Sequence, residues 1–233
     1  VYDYLVVALG AVTNFYNIPG AAEFSFILKD LSQAIILRNR CIAVFEEASH
    51  VADQRIRKKM LSFAIIGGGP TGVELAAEMA DLFFDTFRMY YRNNICKEDV
   101  TLYLVSAGKE LISMFDASLR EKSLEVLREK GVRVLLNTQV HKITKDSIVF
   151  ANNTSIPASQ VVWAAGVKAN GIRFVGAEAD PPRIIERDPI GRIMVDEYGR
   201  PFGMKDVFAL GDIAVFPAQN GVVLPMLAQV AVQ

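Results

Sequence analysis

One segment limits the fold of this 233-residue chain more than any other: an apolar strand pattern that runs into a glycine-rich turn and then a helix pattern. It reads Phe63-Ala-Ile-Ile-Gly-Gly-Gly-Pro-Thr-Gly-Val-Glu-Leu-Ala-Ala-Glu78. Gly67, Gly69 and Gly72 have the G-x-G-x-x-G spacing, which suits a tight turn, close approach to a pyrophosphate, and close packing of helix on strand. The helix start then offers unpaired N–H groups to phosphate. We therefore expect a dinucleotide site here, the plainer alternative being a glycine-rich loop without a ligand. Its residues would be Gly67, Gly68, Gly69, Pro70, Thr71 and Gly72.

The other patterns place this segment among alternating strands and helices, which predicts an α/β fold with a parallel, doubly wound sheet and some antiparallel β-structure attached. In chain order, the predicted elements are a strand at Tyr4–Gly10, a helix from about Ile27 to Arg57, a strand at Leu61–Ile66, the helix after the glycine turn, a strand at Val100–Val105, a helix capped by Asp116 and ended near Gly131, and strands at Val132–Leu136, Val140–Ile143, Ser147–Phe150 and Val161–Ala165.

Composition excludes several classes of function. The 25 basic and 26 acidic residues give a net charge of −1, which provides no electrostatic footprint for nucleic acid. No apolar run approaches the ~18–20 residues of a membrane-spanning helix. Cys41 and Cys96 lack a C-x-x-C spacing and are expected to be buried or inert thiols. His50 and His141 are too few and too scattered for a metal site, and we expect surface or cap positions for them.

A second ligand is suggested by three strand-then-glycine units, which can bring the main chain close to a flat molecule. These units are Asp3–Gly10, Val161–Gly166 and Val207–Asp212. The last ends in Gly211-Asp212, where a carboxylate can accept hydrogen bonds from a polyol or from N–H groups. Taken alone, this Gly-Asp pair is also compatible with an ordinary turn.

The order of motifs resembles the two-dinucleotide-binding-domain flavoproteins, and among them most closely the type II NADH dehydrogenases, which are non-proton-pumping NADH:quinone oxidoreductases. The motifs are DYLVVALG, NIPG, AIIGGGPTGVELAAE, VVWAAGV, DVFALGDIA and LAQVAVQ, from Asp3 to Gln233. The resemblance implies two Rossmann-like domains, for FAD and NAD(P)H, with the FAD domain discontinuous and incomplete. Residues 1–25 would end its first segment, 26–166 would bind NAD(P)H, and 167–233 would return to the FAD domain.

The same resemblance implies roles for individual residues. The glycine turn would hold the NADH pyrophosphate, Glu74 on the first helical turn would face the nicotinamide, and Gly166 would pass near the cofactors. Glu74 is equally well explained as an anion favoured by the helix N-terminus. The residues implied beside FAD are Ala8, Leu9, Gly10, Gly211 and Asp212. Gln229 and Gln233, four residues apart in an A-Q-x-A-x-Q pattern, would face the flavin and the quinone.

The implied activity is FAD-dependent oxidation of NADH with electron transfer to a quinone. The full-length protein would lie peripherally on the cytoplasmic side of a membrane, anchored through a C-terminal region absent here, and homodimerisation is left open. The fragment itself would be soluble and, lacking the first FAD motif, would hold FAD weakly. Two alternative functions are a disulfide or ferredoxin reductase and a non-catalytic nucleotide-binding fragment. A third is a sulfide:quinone reductase, which would need cysteines near the flavin, whereas Cys41 and Cys96 lie in the wrong segments.

The chain departs from the family pattern at the end of the second strand. An acidic residue there normally binds the ribose hydroxyls of NADH, about 20 residues beyond the glycine motif. This chain has Ser106 at that place, at a longer separation, with Lys109 close by. Serine can donate a hydrogen bond to a 2′-hydroxyl and does not repel a 2′-phosphate. Lys109 could pair with such a phosphate; the alternative is that Lys109 is a solvated lysine in a turn. NADPH is therefore kept beside NADH as a ligand.

Overall fold

The computed structural model describes residues 3–172, 185–217 and 226. None of the helices in this part of the chain is both long and apolar enough to cross a membrane. The strands are β1 (Leu5–Val7), β2 (Ala11–Thr13), β3 (Ser25–Ile27), β4 (Ser62–Ile66), β5 (Thr101–Val105), β6 (Arg133–Leu135), β7 (Val140–Ile143), β8 (Ser147–Phe150), β9 (Ser155–Pro157), β10 (Gln160–Trp163), β11 (Val167–Ala169), β12 (Ile193–Met194), β13 (Val207–Ala209) and β14 (Ala214–Val215). The α-helices are α1 (Ala21–Phe24), α2 (Leu31–Ser49), α3 (Gln54–Met60), α4 (Pro70–Asp81), α5 (Arg88–Tyr91) and α6 (Ala117–Glu129), with a π-helix at Leu82–Phe87 and 3₁₀ turns at Lys97–Asp99 and Gly211–Ile213.

The chain forms two compact units, one continuous and one built from two segments. The larger unit is Phe15–Gly166, and the smaller combines Val1–Asn14 with Val167–Gln233. The larger unit starts before the expected residue 26, because β3 pairs with β10 inside its sheet. Which ligand each unit binds stays a prediction at this point.

A five-stranded parallel sheet in the order β3-β10-β4-β5-β6 is the centre of the larger unit. Side chains alternate across it, because successive residues of a strand point to opposite faces. Phe63 and Ile65 of β4 join the core beneath the helices, whereas Ala64 and Ile66 join the core on the other face. Burial on both faces is typical of a parallel sheet, and it confirms the predicted α/β class.

An aromatic cluster fills the helical face. Phe45 of α2 lies 5.2 Å from Phe83 and 4.7 Å from Phe87 between ring centroids, and Phe63 lies 4.4 Å from Phe83. Phe83, Phe84 and Phe87 belong to the π-helix that continues α4, and all three are buried. Together these rings pack the helices of the larger unit onto β4.

The opposite face is covered by a small antiparallel sheet with the order β7-β8-β9. Ile143 and Ile148 are fully buried there, beside Trp163 of β10. This sheet is the antiparallel addition that the sequence predicted after β6, and its register contains a bulge between Val140 and Lys142.

The single helix predicted from about Ile27 to Arg57 is wrong. The chain instead forms β3, then α2, then a break at residues 50–53, then α3. Asp30 caps α2 by accepting a hydrogen bond from Gln33 N–H at 2.9 Å, and Asp53 caps α3 by accepting one from Arg55 N–H at 2.8 Å. Both aspartates are recognisable N-cap residues, so these two starts were readable from the sequence.

The smaller unit consists of short paired strands. β1 runs parallel to β13, and β2 runs antiparallel to β11. The predicted strand Tyr4–Gly10 is therefore shorter than expected, because the chain turns at Gly10 (φ +64°) and starts β2 at Ala11. β12 pairs with β14, and a compact apolar core that includes Ile193 and Ile213 lies within this unit.

The buried carboxylate of Asp99 forms several hydrogen bonds at the edge of the larger sheet where the parallel strands begin. Asp99, just before β5, is fully buried and accepts hydrogen bonds from Arg57 Nε at 2.8 Å, Gln54 Nε2 at 3.0 Å and Cys96 N–H at 3.1 Å. Burial alone would raise the pKa of Asp99. The hydrogen bonds and the Arg57 charge outweigh it and hold that pKa below its usual value.

Removing this charge should destabilise the protein. Asp99→Asn leaves the Arg57 guanidinium, whose side chain is only 14% exposed, without its charged partner, and we expect it to lower the free energy of unfolding by about 3–5 kcal/mol at pH 7. Asp146→Asn is the control, since Asp146 pairs with Lys59 at 3.2 Å where both side chains are more than half exposed, and its loss should cost less than about 1 kcal/mol. Urea titrations measure both.

The pH dependence gives a second check on the same carboxylate. The pKa of Asp99 is lower in the folded state than in the unfolded state. Its contribution to the free energy of unfolding is therefore present above the unfolded pKa of about 3.9 and is lost as pH falls through the folded pKa. The stability difference between wild type and Asp99→Asn should therefore shrink below about pH 4. A constant difference from pH 7 to pH 3 would contradict this assignment.

Candidate functional site

The glycine turn between β4 and α4 is shaped by contacts that a side chain would prevent. Gly67 adopts φ +127° and donates its N–H to Val105 O at 2.8 Å. A Cβ at Gly67 would collide with the carbonyl of Ala164, and a Cβ at Gly72 would collide with the carbonyl of Gly67. These two glycines therefore allow the turn to lie on the end of β10 and α4 to lie on the turn.

The two remaining glycines of the turn differ in their surroundings. A Cβ at Gly68 would lie 2.6 Å from Ser106 Oγ and 3.0 Å from Leu111 Cδ2. A Cβ at Gly69 would meet no atom within 4 Å. Gly69 occupies the N-cap position of the 12-residue helix α4, with no capping side chain and with Pro70 following. The helix start thus presents its first N–H groups to an open space, which suits an anion.

Ser106 comes directly after β5, at the same sheet edge as the turn. The strands β4 and β5 are parallel and paired residue for residue up to Ile66 and Val105, so both end there. Ser106 is buried; its Oγ accepts a hydrogen bond from Gly108 N–H at 3.2 Å, and its carbonyl accepts one from Thr138 N–H at 2.9 Å. Lys109 is exposed beyond it. The strand register used to select Ser106 is therefore correct.

A cavity of about 420 Å³ extends along this edge within the larger unit. Its lining is mostly apolar, with a few polar groups, as is usual for a site that holds a planar base. The lining residues are Tyr16, Ile18, Ile66, Gly67, Gly68, Val105, Ser106, Ala107, Gly108, Thr138, Gln139, Val140, Trp163 and Ala165. The predicted Gly67, Gly68 and Ser106 thus share one cavity.

Gly166 and Glu74 lie near this site in different ways. A Cβ at Gly166 would collide with the Tyr16 hydroxyl, so Gly166 is needed for packing at the end of β10. Glu74 is exposed on α4 but does not lie on its first turn as expected, because the helix already begins at Pro70. Thr71 is exposed at the helix start.

In the smaller unit, the predicted FAD residues follow two neighbouring parallel strands. Ala8, Leu9 and Gly10 come after β1, and Gly211 and Asp212 come shortly after β13. Leu210 N–H donates to Val7 O at 3.0 Å, so the two strand ends lie side by side. A Cβ at Gly10 would meet no atom within 4 Å.

The two cysteines differ from each other. Cys41 is buried on α2, and burial raises the pKa of its thiol to about 12. Cys96 is exposed, so of the two expected properties, burial or inertness, only inertness stays a prediction for it; it lies just before β5 and not at the edge with the glycine turn. Gln229 and Gln233 lie outside the described residues.

Sequence reasoning missed the cavity wall formed by Tyr16 and Thr138. Tyr16 and Asn17 adopt φ +49° and +55°, in a turn just before the Ile18-Pro-Gly20 turn that was recognised. The asparagine next to this Pro-Gly turn was an available signal for the irregular backbone. Nothing local marks Thr138, which reaches the cavity because the chain after β6 passes beside Ser106.

The parallel sheet, glycine turn and following helix define a Rossmann-type nucleotide-binding unit. The chain belongs to the pyridine nucleotide-disulphide oxidoreductase family, whose sequence profile matches residues 1–233.

Similar proteins include respiratory enzymes. The external alternative NAD(P)H-ubiquinone oxidoreductase B2 of Arabidopsis thaliana mitochondria is 35% identical over 219 residues, covering 91% of this chain and 36% of that protein. The type II NADH:quinone oxidoreductase Ndh of Mycobacterium tuberculosis is 31% identical over 237 residues, covering 100% of this chain and 49% of that protein. The chain thus spans about half, or less, of the length of these relatives. They confirm the resemblance to the type II NADH dehydrogenases.

Solved structures agree in fold. NDH2 from Plasmodium falciparum in complex with RYL-552 superposes with a TM-score of 0.81 at 26% identity, over 92% of this chain and 44% of that one. A NAD-dependent persulfide reductase from A. fulgidus superposes with a TM-score of 0.69 at 26% identity, over 99% of this chain and 37% of that one.

Alanine substitutions at Gly68 and Gly69 should have different effects on stability, because Gly68 is closely packed and Gly69 faces open space. Gly68→Ala places a methyl group 2.6 Å from Ser106 Oγ, and we expect it to cost about 1–3 kcal/mol of stability. Gly69→Ala has no such neighbour and an extended φ of −79°, so its free energy of unfolding should stay within about 0.5 kcal/mol of wild type. Equal losses in denaturant titrations would contradict this picture of the turn.

Proposed function

We propose that this chain forms the nucleotide-binding core of an enzyme that oxidises NADH with the help of FAD and passes the electrons to a quinone. The observation that carries the proposal is the open side of Gly69 at the uncapped start of α4, next to the cavity beside Ser106. The names of similar proteins support it, since they combine NADH or NAD(P)H with quinone or ubiquinone. Because quinones of this kind are carried in membranes, we also propose that the complete protein works at a membrane surface.

The proposed NADH site follows the larger unit. The pyrophosphate lies on the turn Gly67–Gly69, where the N–H groups at the start of α4, including those of Thr71 and Gly72, can donate to it. Pro70 lacks an N–H but fixes the first helical turn. Ser106 faces the adenosine ribose, and its hydroxyl can bond a 2′-hydroxyl. Glu74 is proposed to face the carboxamide of the nicotinamide, with Gly166 giving the chain room beside the nucleotide.

The proposed FAD site follows the smaller unit. Ala8, Leu9 and Gly10 offer main chain for a flat or extended ligand, and the open side of Gly10 leaves room for one. The Asp212 carboxylate, half-buried after Gly211, can accept hydrogen bonds from ribityl hydroxyl groups. When bound, FAD supplies the redox chemistry, so the chain has to provide orientation and binding. Gln229 and Gln233 are proposed to donate hydrogen bonds to the quinone or the flavin edge.

The two cysteines of this chain do not supply a redox thiol beside the nucleotide site. The chain has two cysteines in all. The thiol of Cys41 is buried with a pKa raised to about 12, which disfavours the reactive thiolate. Cys96 precedes the first residue of β5, so it lies near the opposite end of that strand from the glycine turn. Neither residue is placed as a redox thiol beside the nucleotide site.

A two-step redox assay tests the proposal. Mixed anaerobically with FAD and NADH, the chain should bleach the oxidised-flavin absorbance faster than free FAD does, and a water-soluble quinone should restore it. Gly69→Ala is the matched variant, because it should fold normally yet slow the NADH step by about tenfold or more while leaving reoxidation unchanged. Reduction no faster than with free FAD at an FAD concentration that saturates the chain, or reoxidation by disulfides but not by quinone, would contradict the proposal.

Ser106 should make the nucleotide preference weak. Without an acidic side chain to repel the 2′-phosphate, we expect NADH to be favoured over NADPH by only about 1–2 kcal/mol, or roughly ten- to thirtyfold in affinity. Ser106→Glu should raise this ratio by adding repulsion, whereas Ser106→Gln, of the same size but neutral, should not. Titrations with both nucleotides give the ratios. A thousandfold preference of the wild type for NADH, or equal NADH-to-NADPH affinity ratios in both variants, would contradict the proposal that Ser106 faces the ribose.

A further inference from the structure

The segment after β5 returns to the glycine turn and binds it through the main chain. Ile112 N–H donates a hydrogen bond to Gly68 O at 2.7 Å. Leu111, one residue earlier, is fully buried in the core beneath the helices, and its Cδ2 lies beside Gly68. The segment is thus attached to the turn by one main-chain hydrogen bond and one buried side chain.

Ile112 holds this position in a conformation that its side chain disfavours. Its φ is +39°, in the left-handed region, where a β-branched residue is a genuine outlier. Such strain persists only where the surroundings fix it. Here Phe115 N–H donates to Ile112 O at 2.9 Å, and Glu110 pairs with Arg120 at 2.8 Å. The Ile112 N–H is therefore held at a fixed place under the turn.

The bond to Gly68 determines which way the next N–H points. In a trans peptide, the C=O of one residue and the N–H of the following residue point in opposite directions. With Gly68 O directed to Ile112, the Gly69 N–H is directed away from that loop. Gly69 N–H has no hydrogen-bond acceptor among the described residues, and the Cβ direction at Gly69 is open.

We propose that Ile112 is a positioning residue, which acts through its main-chain N–H to aim the Gly69 N–H at the pyrophosphate of the dinucleotide. The inference rests on the proposed function, since it assumes that NADH binds at this turn. It assigns a role in binding to a residue that does not itself touch the nucleotide, and it explains why a strained isoleucine conformation is kept beside the glycine turn.

Replacing single amides by esters tests this directly. Isoleucine 112 is exchanged for its α-hydroxy acid counterpart, which removes the N–H and keeps the side chain. The matched control is the same exchange at Asn153, whose N–H donates to Phe150 O at 3.0 Å in the turn after β8, so that a hydrogen bond of similar length is lost without touching Gly68 or Ile112. A third protein, Ile112→Asn, keeps the N–H and tolerates a positive φ. The Kd for NADH is measured through quenching of Trp163, the single tryptophan, which lines the cavity.

The ester at 112 should weaken NADH binding by about tenfold, as expected for the loss of one aligned hydrogen bond. The ester at 153 and Ile112→Asn should bind as wild type does, whatever their melting temperatures. If the ester at 112 binds as tightly as wild type, or if both esters weaken binding equally, the positioning role is overturned while the proposed function stands. If wild type binds no NADH, the proposed function fails and the inference fails with it.

Discussion

The contact of glycine against main chain at the end of β4 is the constraint on which the larger unit depends. Gly72 packs on the Gly67 carbonyl, and Gly67 packs on the Ala164 carbonyl, so a helix, a turn and a neighbouring strand meet without an intervening side chain. This closeness brings the start of α4, the end of β5 and the end of β10 to one place. The cavity beside Ser106 exists because these three ends coincide.

The two edges of the sheet have different chemistry. The edge at which strands begin carries a fully buried carboxylate, Asp99, whose hydrogen bonds with Gln54, Arg57 and Cys96 leave little capacity for a ligand. The edge at which strands end carries main-chain groups, including the Gly69 N–H, that have no acceptor among the described residues. The buried ion pair and the proposed nucleotide-binding groups thus lie at opposite ends of the same strands.

The sequence predicted best where one local rule governs the structure. β4, the glycine turn and Ser106 were placed correctly, because spacing and strand register determine them. The helix assigned to about Ile27–Arg57 was wrong in two places. Ile27 joins β3 through pairing with β10, more than 130 residues later, whereas the break at residues 50–53 was marked by the Asp53 cap and was overlooked. The left-handed backbone at Tyr16 was also missed, although Asn17 beside the Pro-Gly turn marks it. At Ile112 no local pattern marks the positive φ, because it arises from tertiary contacts.

The π-helix at Leu82–Phe87 has a consequence for how this chain can change in length. A π turn holds one residue more than an α turn, so deleting one residue here would convert the segment to a continuous α-helix. Because the wider turn absorbs its extra residue, the helix after it would keep nearly the same orientation, and Tyr91 would stay beside Phe45, now 5.7 Å from it between ring centroids. The same deletion within α4 would instead rotate everything after it by about 100° about the helix axis. Insertions and deletions are ordinarily tolerated at helix ends and loops. In this helix the π turn is a further place that can absorb the loss of one residue, so that sequence variants of this unit can differ in length there without moving the aromatic side chains that follow.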